Sequence, residues 1–453
     1  MIENLLFYGT VVFGLLIGGS IVLLLLDKPV LVIYMQFGYC CFMRILMSDL
    51  GLPEFVKYLS DYFTVILFIQ IVLQFNKVKS LNVRMPMLII TLFLIIAIIS
   101  SALNISNGSF LFFLWGSRVY LRFYIFFLAC TIFLERDNID KMIKFLLVLL
   151  PINTILALFQ YYILGLEDDF IGGLFGTERG SNTELVPYLL VVMTIMFIYY
   201  CRNKMNIIKV FLYTLMICII SALAELKTLF ANLPVTLIMV FIISFPNKRI
   251  IKLLVTGTVA FSIMFLVFVA LYPNWADSFE SISKFIYDSA TVDYAGEGSL
   301  SRTTAGSYLL HNVLITPGQK LFGFGFGNAG EFLSYTSSFL MRYRALVYHY
   351  FSYSLILVEI GILGLSIYCL FFLSILLKFL PKIKKMDYDK LPYIEITIIM
   401  SIQVFFLIIY NQSLNMDISF IIYFVLSFPF ILEKEMNENI ISLNKISLNM
   451  KGA

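Results

Sequence analysis

The chain is poor in the charged side chains that cover the surface of a soluble protein. Charged residues make up 13% of its 453 residues, and hydrophobic residues make up 60%. A soluble domain has about 25% charged and roughly 45–50% apolar residues, so this composition excludes that class. Repeated apolar runs of about 20 residues can each cross a hydrocarbon core of roughly 30 Å. The sequence therefore predicts an all-α polytopic membrane protein.

Cysteines are also few, and their positions exclude two kinds of site. The six cysteines lie within apolar runs or at their ends, and they are Cys40, Cys41, Cys130, Cys201, Cys218 and Cys369. Because the long polar segment has none, we expect no disulfide framework, no metal site and no cofactor. The net charge of +4 is distributed along the chain rather than gathered in one patch, so no nucleic-acid partner is expected.

About thirteen apolar runs predict 12–13 transmembrane helices. They cover residues 5–26, 29–47, 58–75, 86–103, 110–134, 142–165, 185–201, 207–224, 228–246, 250–272, 347–378, 391–410 and 415–432. The first follows Met-Ile-Glu-Asn with no basic region and no cleavage pattern, so we interpret it as a retained span. Four regions result: an N-terminal bundle (1–272), a long extracytoplasmic loop with short helices (273–347), C-terminal spans (348–432) and a cytoplasmic tail (433–453).

Basic residues predict the orientation of these spans. Cytoplasmic connections of membrane proteins carry an excess of Lys and Arg. Such residues fall on alternate connections here: Lys77/Lys79/Arg84, Arg202/Lys204/Lys209, Lys248/Arg249/Lys252 and Lys378/Lys382/Lys384/Lys385. The long loop and the connections at 104–109, 167–184, 224–227 and 411–417 are therefore predicted to lie outside.

Both histidines of the chain, His311 and His349, lie within or directly after the long polar loop, which also carries a glycine run over 323–330. Gly325-x-Gly327-x-x-Gly330 matches the dinucleotide-binding pattern, but no βαβ unit surrounds it. The glycines are expected to permit tight turns at the membrane surface. No nucleophile-elbow spacing supports a hydrolase triad.

Two arginines, Arg118 and Arg122, lie inside the fifth predicted span. Spacing of four places both on one helical face, at depths of about 12 and 18 Å from its outer end. An intramembrane charge costs at least roughly 2.5 kcal/mol, so the pair needs a counter-anion or a wet cavity. Asp61 and Glu359 are the main acidic candidates within apolar runs. The arginines therefore either pair with acids on neighbouring helices or form an outward-facing anion site.

Outer connections hold the other candidate residues. The glycine-rich stretch 172–182 carries Arg179, and it is either a flexible tether or part of a site. Glu225 and Lys227 form either a solvated turn pair or part of a site. Within the long loop, Ser299 or Ser301 is expected to cap a helix that ends near Leu314 and carries Arg302 and His311. Arg342 and Arg344 stand just outside the next span, where a phosphate partner would explain them.

Several of these segments, in this order, resemble bacterial O-antigen and capsular polysaccharide polymerases of the Wzy type. The resemblance lies in Ser301-Arg302, Ala305, Asn312, Pro317 and Gly323-Phe-Gly325-Phe-Gly327-Asn328, in Glu359-Ile-Gly361-Ile-Leu-Gly364, and in the earlier loop Gly172–Asn182. It extends to the whole topology, a bundle like those of GT-C glycosyltransferases with one long outer loop. O-antigen ligases are similar more distantly, but they carry His-Asn before the Glu-x-Gly run. Here His349-Tyr350-Phe351-Ser352 has no Asn.

The resemblance implies a metal-independent glycosyltransferase that polymerises undecaprenyl-diphosphate-linked repeat units at the outer face of a bacterial cytoplasmic membrane. A leaving diphosphate needs positive charge, which guanidinium groups supply well. We assign Arg118 to catalysis and Arg122 to diphosphate binding, Arg302 to leaving-group stabilisation, and His311, with Glu225 as the lesser candidate, to general-base catalysis. The remaining substrate-binding candidates are Arg179, Lys227, Gly325, Arg342 and Arg344.

The resemblance also implies partners and leaves two alternatives open. Expected partners are the lipid-linked donor and acceptor, membrane lipids, a chain-length regulator and a flippase. One alternative is that the chain is itself a lipid-linked oligosaccharide flippase, with Arg118 and Arg122 lining a translocation path, although no internal repeat is visible in the sequence. The other is an O-antigen ligase, which differs only in its acceptor.

Overall fold

Each apolar run that is described folds as a helix. The computed structural model describes residues 14–74, 82–104, 110–271, 298–385 and 387–451, apart from 15, 25, 246, 333 and 334. Backbone amide groups that meet lipid must be bonded within their own segment, which a helix achieves. Ten of the described helices are long and apolar enough to cross a membrane. The predicted class, an all-α polytopic membrane protein, is confirmed.

The helices before the long loop are α1 (Pro29–Ser48), α2 (Leu59–Leu73), α3 (Arg84–Leu103), α4 (Phe110–Phe133), α5 (Arg136–Tyr162), α6 (Asn182–Cys201), α7 (Ile207–Leu223), α8 (Lys227–Ser244) and α9 (Arg249–Leu271). The described loop holds α10 (Ala305–Tyr308), a π-helical turn (Leu309–Val313), α11 (Pro317–Phe322), β1 (Glu331–Phe332), β2 (Tyr335–Thr336) and α12 (Ser338–Tyr343). The last helices are α13 (Ser352–Phe379), α14 (Leu391–Tyr410) and α15 (Ser419–Lys451).

Two parts of the predicted organisation fall wholly or partly outside the described residues. These are most of the first predicted span, 5–26, and the first part of the long loop, 273–297. In the described part of the loop, β1 and β2 pair as a short antiparallel hairpin. The last helix, α15, runs from its apolar stretch at 419–432 through the predicted tail to Lys451.

Helix α6 is the centre of the bundle, because all of its membrane-length window is buried. Among those ten membrane-length helices α14 is the next most buried, whereas α3 and α9 bury only about a third of theirs. The outward faces of such peripheral helices carry large apolar side chains, as lipid contact requires: Leu88, Ile98, Ile251 and Val255 are all more than half exposed. The polar residues of the central helices must therefore find partners inside the protein.

Contacts between connections place the basic residues on one face of the bundle. Lys378 Nζ lies 2.6 Å from the carbonyl oxygen of Asn82 and 3.1 Å from Glu433 Oε2. Arg202 Nε donates to Glu395 Oε2 over 2.9 Å. The positive-inside rule predicts that this face is the cytoplasmic one, and the opposite face is called the outer face below.

Candidate outer-face site

Arg118 is held by an acid from a neighbouring helix. Its Nε donates to Asp61 Oδ2 over 2.6 Å. The guanidinium group also lies over the rings of Trp115, at 4.2 Å, and Tyr58, at 5.1 Å. Cation–π contacts of this kind stabilise a desolvated cation. Asp61 was one of the two acids that the sequence offered as a counter-ion, and the structure uses it.

Arg122, one turn further along α4, is more deeply buried than Arg118. Its Nη1 lies 2.9 Å from Asp417 Oδ1 and 3.7 Å from Asp61 Oδ1, and its Nη2 donates to the carbonyl oxygen of Asn415. Ser60 Oγ donates to the same Asp417 oxygen over 2.7 Å. Asp61, Arg118, Arg122 and Asp417 thus form one network, named here the outer charge cluster.

The outer charge cluster lies near the outer ends of two of its helices. Asp61 belongs to the first turn of α2, and Asp417 precedes the first residue of α15 by two positions. The depths predicted for Arg118 and Arg122 were measured only from the start of α4. Because α4 begins eight residues before Arg118, its first turns extend beyond the level at which α2 and α15 begin. The cluster therefore lies toward the outer face of the bundle.

A second pair joins this region to the glycine-rich outer connection. Arg44, near the end of α1, lies 2.7 Å from the buried Glu184 and 3.1 Å from Glu178. Arg44 and Glu184 both lie within electrostatic range of Asp417. The stretch 172–182 is therefore bound to α1 through Glu178, while Glu184 binds the same arginine from the start of α6, so the stretch is more than a tether.

Several buried polar atoms of the cluster lack hydrogen bonds among the described residues. They are Arg122 Nε and Asp61 Oδ1, with Gln36 Oε1 and both polar side-chain atoms of Asn415 beside the cluster. Native proteins pair most buried polar groups with protein or water, so these atoms would need water or a ligand as their partners. Gln36 Nε2 donates to Ser60 Oγ over 2.8 Å and so belongs to the same network.

Arg302, from the long loop, contacts the end of α14. Its Nε donates to the carbonyl oxygen of Tyr410 over 3.2 Å, and its guanidinium group lies 4.3 Å from the ring of that tyrosine. Tyr410 is the last residue of α14, where the helix dipole favours a cation. The connection 411–417 that follows ends at Asp417, the partner of Arg122. Arg302 and Arg122 thus contact opposite ends of this short connection.

The glycine turn of the loop packs backbone-to-backbone against a break in α13. Gly361 interrupts that helix with φ 68°, which frees carbonyl groups of the preceding turn. The N–H groups of Phe324 and Gly325 donate to the carbonyl oxygens of Val358 and Glu359 over 2.8 and 3.1 Å. A Cβ atom on Gly323 would lie 2.5 Å from the Glu359 carbonyl carbon. These glycines therefore form a turn that packs directly against neighbouring helices, because only Gly permits so close an approach.

The same turn also packs against α4, the helix of both site arginines. A Cβ atom on Gly327 would lie 1.9 Å from the carbonyl oxygen of Phe112, and one on Gly116 would lie 2.7 Å from the Gly327 nitrogen. The buried Phe326 ring stacks on Tyr120 at 5.3 Å. The loop that carries Arg302 is thereby anchored on the helix that carries Arg118 and Arg122.

Glu359, the other predicted counter-ion, does not contact either arginine. Its carboxyl group interacts with the backbone N–H groups of Gly327 and Ala329. Ser100 Oγ donates to the Glu359 carbonyl oxygen over 2.8 Å. Glu359 therefore joins the glycine turn to α13. Its place beside Arg118 is taken by Asp61.

The remaining loop candidates lie apart from the outer charge cluster. His311 is exposed on the π-helical turn, and its Nδ1 lies 2.7 Å from the carbonyl oxygen of Ser307. Arg342 is exposed and lies over its neighbour Tyr343, at 5.2 Å. Arg344 and Arg179 are exposed as well. Gly325 is part of the glycine turn, and its contacts hold that turn against α13.

Glu225 and Lys227 pair with each other at 2.9 Å in the α7–α8 turn. Burial raises the pKa of Glu225, and Lys227 counteracts this in part. Asn182 Nδ2 connects the turn to the glycine-rich connection, because it donates to the Ala224 carbonyl oxygen and to Asp169 Oδ1. These two outer connections are thus neighbours, as a shared site requires.

Sequence reasoning missed Asp417, Arg44 and Glu184 as members of this region. Their signal was present, since each stands at the outer end of an apolar run. Among the described residues, no group of three or more His, Cys, Asp or Glu side chains has a metal-binding arrangement. No family model, no curated protein and no solved structure matches this chain.

Proposed function

We propose that this protein is a membrane glycosyltransferase that polymerises lipid-diphosphate-linked glycan repeat units at the outer face of the cytoplasmic membrane. The observation that carries the proposal is the outer charge cluster, two arginines and two aspartates beneath a loop that is anchored on the arginine-bearing helix. Charged side chains in a membrane bundle are costly, and their presence marks a functional site by default.

The arginines supply the charge that a lipid diphosphate requires. In this proposal Arg118 and Arg122 bind the diphosphate, since guanidinium groups bind phosphate oxygens in a bidentate manner. Each now pairs with a carboxylate, so the incoming diphosphate would replace Asp61 or Asp417 as its partner. Arg302, at the other end of the 411–417 connection, would approach the leaving group from the loop side.

The released carboxylate gives the reaction a base. A hydroxyl oxygen of the acceptor sugar attacks the anomeric carbon of the donor glycan, and a glycosidic C–O bond forms. The bond from that carbon to the diphosphate breaks, and its electron pair leaves with the lipid diphosphate. The proton of the acceptor hydroxyl goes to Asp61 or Asp417, which are nearer to the arginines than His311 or Glu225.

The partners that the resemblance implies belong to the same proposal. The donor and acceptor are undecaprenyl-diphosphate-linked glycans, and a chain-length regulator and a separate flippase would act with the enzyme. Arg179, Lys227, Arg342 and Arg344 lie on the outer connections, where their charges could contact sugar or phosphate groups of the substrates.

The test measures the length of the glycan chains. It uses cells whose own copy of the gene is deleted and which express the protein or a variant from a plasmid. Arg118→Gln and Arg302→Ala should each abolish long chains while single repeat units still reach the surface. Lys320→Ala, which removes a charge from the same loop, is the matched control and should keep long chains. Detergent extracts analysed by size-exclusion chromatography show that each variant is folded. Normal chain length in both arginine variants would sink the proposal.

A transporter of lipid-linked glycans is the second candidate, and one observation favours it. The Arg122–Asp417 and Arg118–Asp61 pairs lie between helices, where a translocation path could run. The deletion phenotype separates the two functions. Loss of a polymerase leaves one-unit glycans outside the cell, whereas loss of a flippase traps them inside.

A further inference from the structure

A cleft on the cytoplasmic face gathers basic side chains far from the outer charge cluster. It has a volume of about 570 Å³ and lies between the end of α6 and the first residues of α7 and α9. Four cations line it, and no carboxylate does; they are Lys204, Lys248, Arg249 and Lys252. The outer charge cluster lies at the opposite ends of the helices, so this cleft belongs to a different site.

Neutral groups hold the cations of this cleft. Lys204 Nζ lies 3.1 Å from the Tyr393 hydroxyl oxygen and 4.5 Å from the centre of that ring. Arg249 Nη1 donates to the carbonyl oxygen of Tyr200 over 3.4 Å. The nearby Asp140 accepts instead from the Tyr393 hydroxyl group, over 2.6 Å. In the described part of the chain, none of the four lining cations forms a salt bridge, so a bound anion would meet little competition from carboxylates and would offset their mutual repulsion.

The surroundings of the cleft suit a membrane ligand. Ile208, next to the lining residue Ile207, and Ile251, between the lining residues Arg249 and Lys252, are each 68% exposed. Basic pockets between helices on the cytoplasmic side are typical binding sites for anionic headgroups. Each phosphate offers several acceptor oxygens to Lys and Arg.

We propose that this cleft binds a phosphate-bearing anion, supplied either by a phospholipid headgroup or by a soluble polyphosphate. The cations would contact the phosphate oxygens. In the lipid case the acyl chains would lie on the exposed apolar faces of α7 and α9. This site is independent of the glycosyl-transfer proposal, because it shares no residue with it.

The experiment measures ligand-induced thermal stabilisation of the full chain purified in detergent. The probes are phosphatidylglycerol, phosphatidylcholine and inorganic pyrophosphate. Lys248→Gln combined with Lys252→Gln removes two exposed lysines from the cleft, and Lys141→Gln combined with Lys144→Gln removes two exposed lysines elsewhere on the cytoplasmic half of α5. Lys248→Glu is a second cleft variant that needs only one change at an exposed position.

We expect phosphatidylglycerol or pyrophosphate to stabilise the wild type, and phosphatidylcholine to have no such effect. Each surface charge is worth about 1 kcal/mol toward an anionic headgroup, so the cleft double variant should bind roughly thirtyfold more weakly. The α5 variant should bind like the wild type. Response to phosphatidylglycerol alone assigns a lipid headgroup, and response to pyrophosphate assigns a soluble ligand. Equal losses in both double variants, or no response to either anion, would overturn the proposal.

Discussion

Arg122 Nη1 lies 2.9 Å from Asp417 Oδ1, across 295 positions of the chain. This ion pair joins α4 to the connection that precedes α15, and these two helices pack along each other. Both side chains are less than one-tenth exposed. Either partner alone would be a buried charge without compensation, so the pair is both a structural tie and the centre of the proposed site.

Asp417→Asn should destabilise the protein markedly. Loss of one member of a buried ion pair typically costs 3–5 kcal/mol, and we expect about 3 kcal/mol because Asp61 still lies near Arg122. The free energy of unfolding in mild detergent measures this. Asp387→Asn, which removes one partner of an exposed pair with Lys390, should cost less than about 1 kcal/mol. Equal losses in the two variants would contradict the structural role.

A double variant tests whether the two side chains interact, because its loss of stability can be compared with the losses of the single variants. Arg122→Met together with Asp417→Asn removes both charges, so its loss should be smaller than the sum of the two single losses. Additive losses would mean that the two side chains do not interact.

Asp61→Asn should reduce polymerisation while the protein stays folded. If Asp61 accepts the proton of the acceptor hydroxyl group, its removal should slow turnover about 10²- to 10⁴-fold. The measurement is chain growth by the purified protein on lipid-linked repeat units, followed by gel electrophoresis. Asp49→Asn, a change at the outer end of α1, is the control and should retain activity. Normal turnover by Asp61→Asn would show that Asp61 is not the base.

Gly327→Ala should displace the long loop from the bundle. The added Cβ atom would lie 1.9 Å from the carbonyl oxygen of Phe112, and the residue has φ 79°. Overpacking and backbone strain should together cost about 1–3 kcal/mol or more, measured by thermal unfolding. Gly330→Ala is the matched control, since nothing lies within 4 Å of its added Cβ atom. A protein that tolerates both changes equally would show that the turn is not packed on α4.

The buried turn carboxyl group of Glu225 should make stability depend on pH. Burial raises its pKa above the ordinary 4.5, so the folded state holds the proton more tightly than the unfolded state. The stability that this tighter proton binding contributes is therefore fully present below pH 4.5, and it is lost as pH rises through the raised pKa of Glu225. The Glu225→Gln variant does not lose this stability. Its melting temperature relative to that of the wild type should therefore rise between pH 4.5 and 7.5.

The control for this pH dependence is the exposed Glu54–Lys57 pair, whose atoms lie 3.1 Å apart. Glu54→Gln removes a solvent-exposed carboxylate from a comparable acid–lysine pair. Its melting temperature relative to the wild type should change little over the same pH range. A gain as large as that of Glu225→Gln would contradict the role of burial.

Hydropathy by itself determined the fold class and the positions of the helices. A run of about 20 apolar residues in lipid has no alternative to the helix, so each run could be located without knowledge of its neighbours. The cost of an intramembrane charge likewise required a counter-ion or a wet cavity for Arg118 and Arg122, and Asp61 was among the candidate counter-ions. These predictions depend only on the local chain and its solvent.

Only the tertiary structure decided which side chains meet. Asp417 and Glu184 were visible at the ends of their runs, but pairing with Arg122 and Arg44 depends on which helices become neighbours. The glycines from 323 to 327 were expected to form tight turns, but the sequence did not indicate that they would pack against α4 and the break in α13. Helix contacts between distant segments are set by packing over the whole bundle, and no local pattern specifies them.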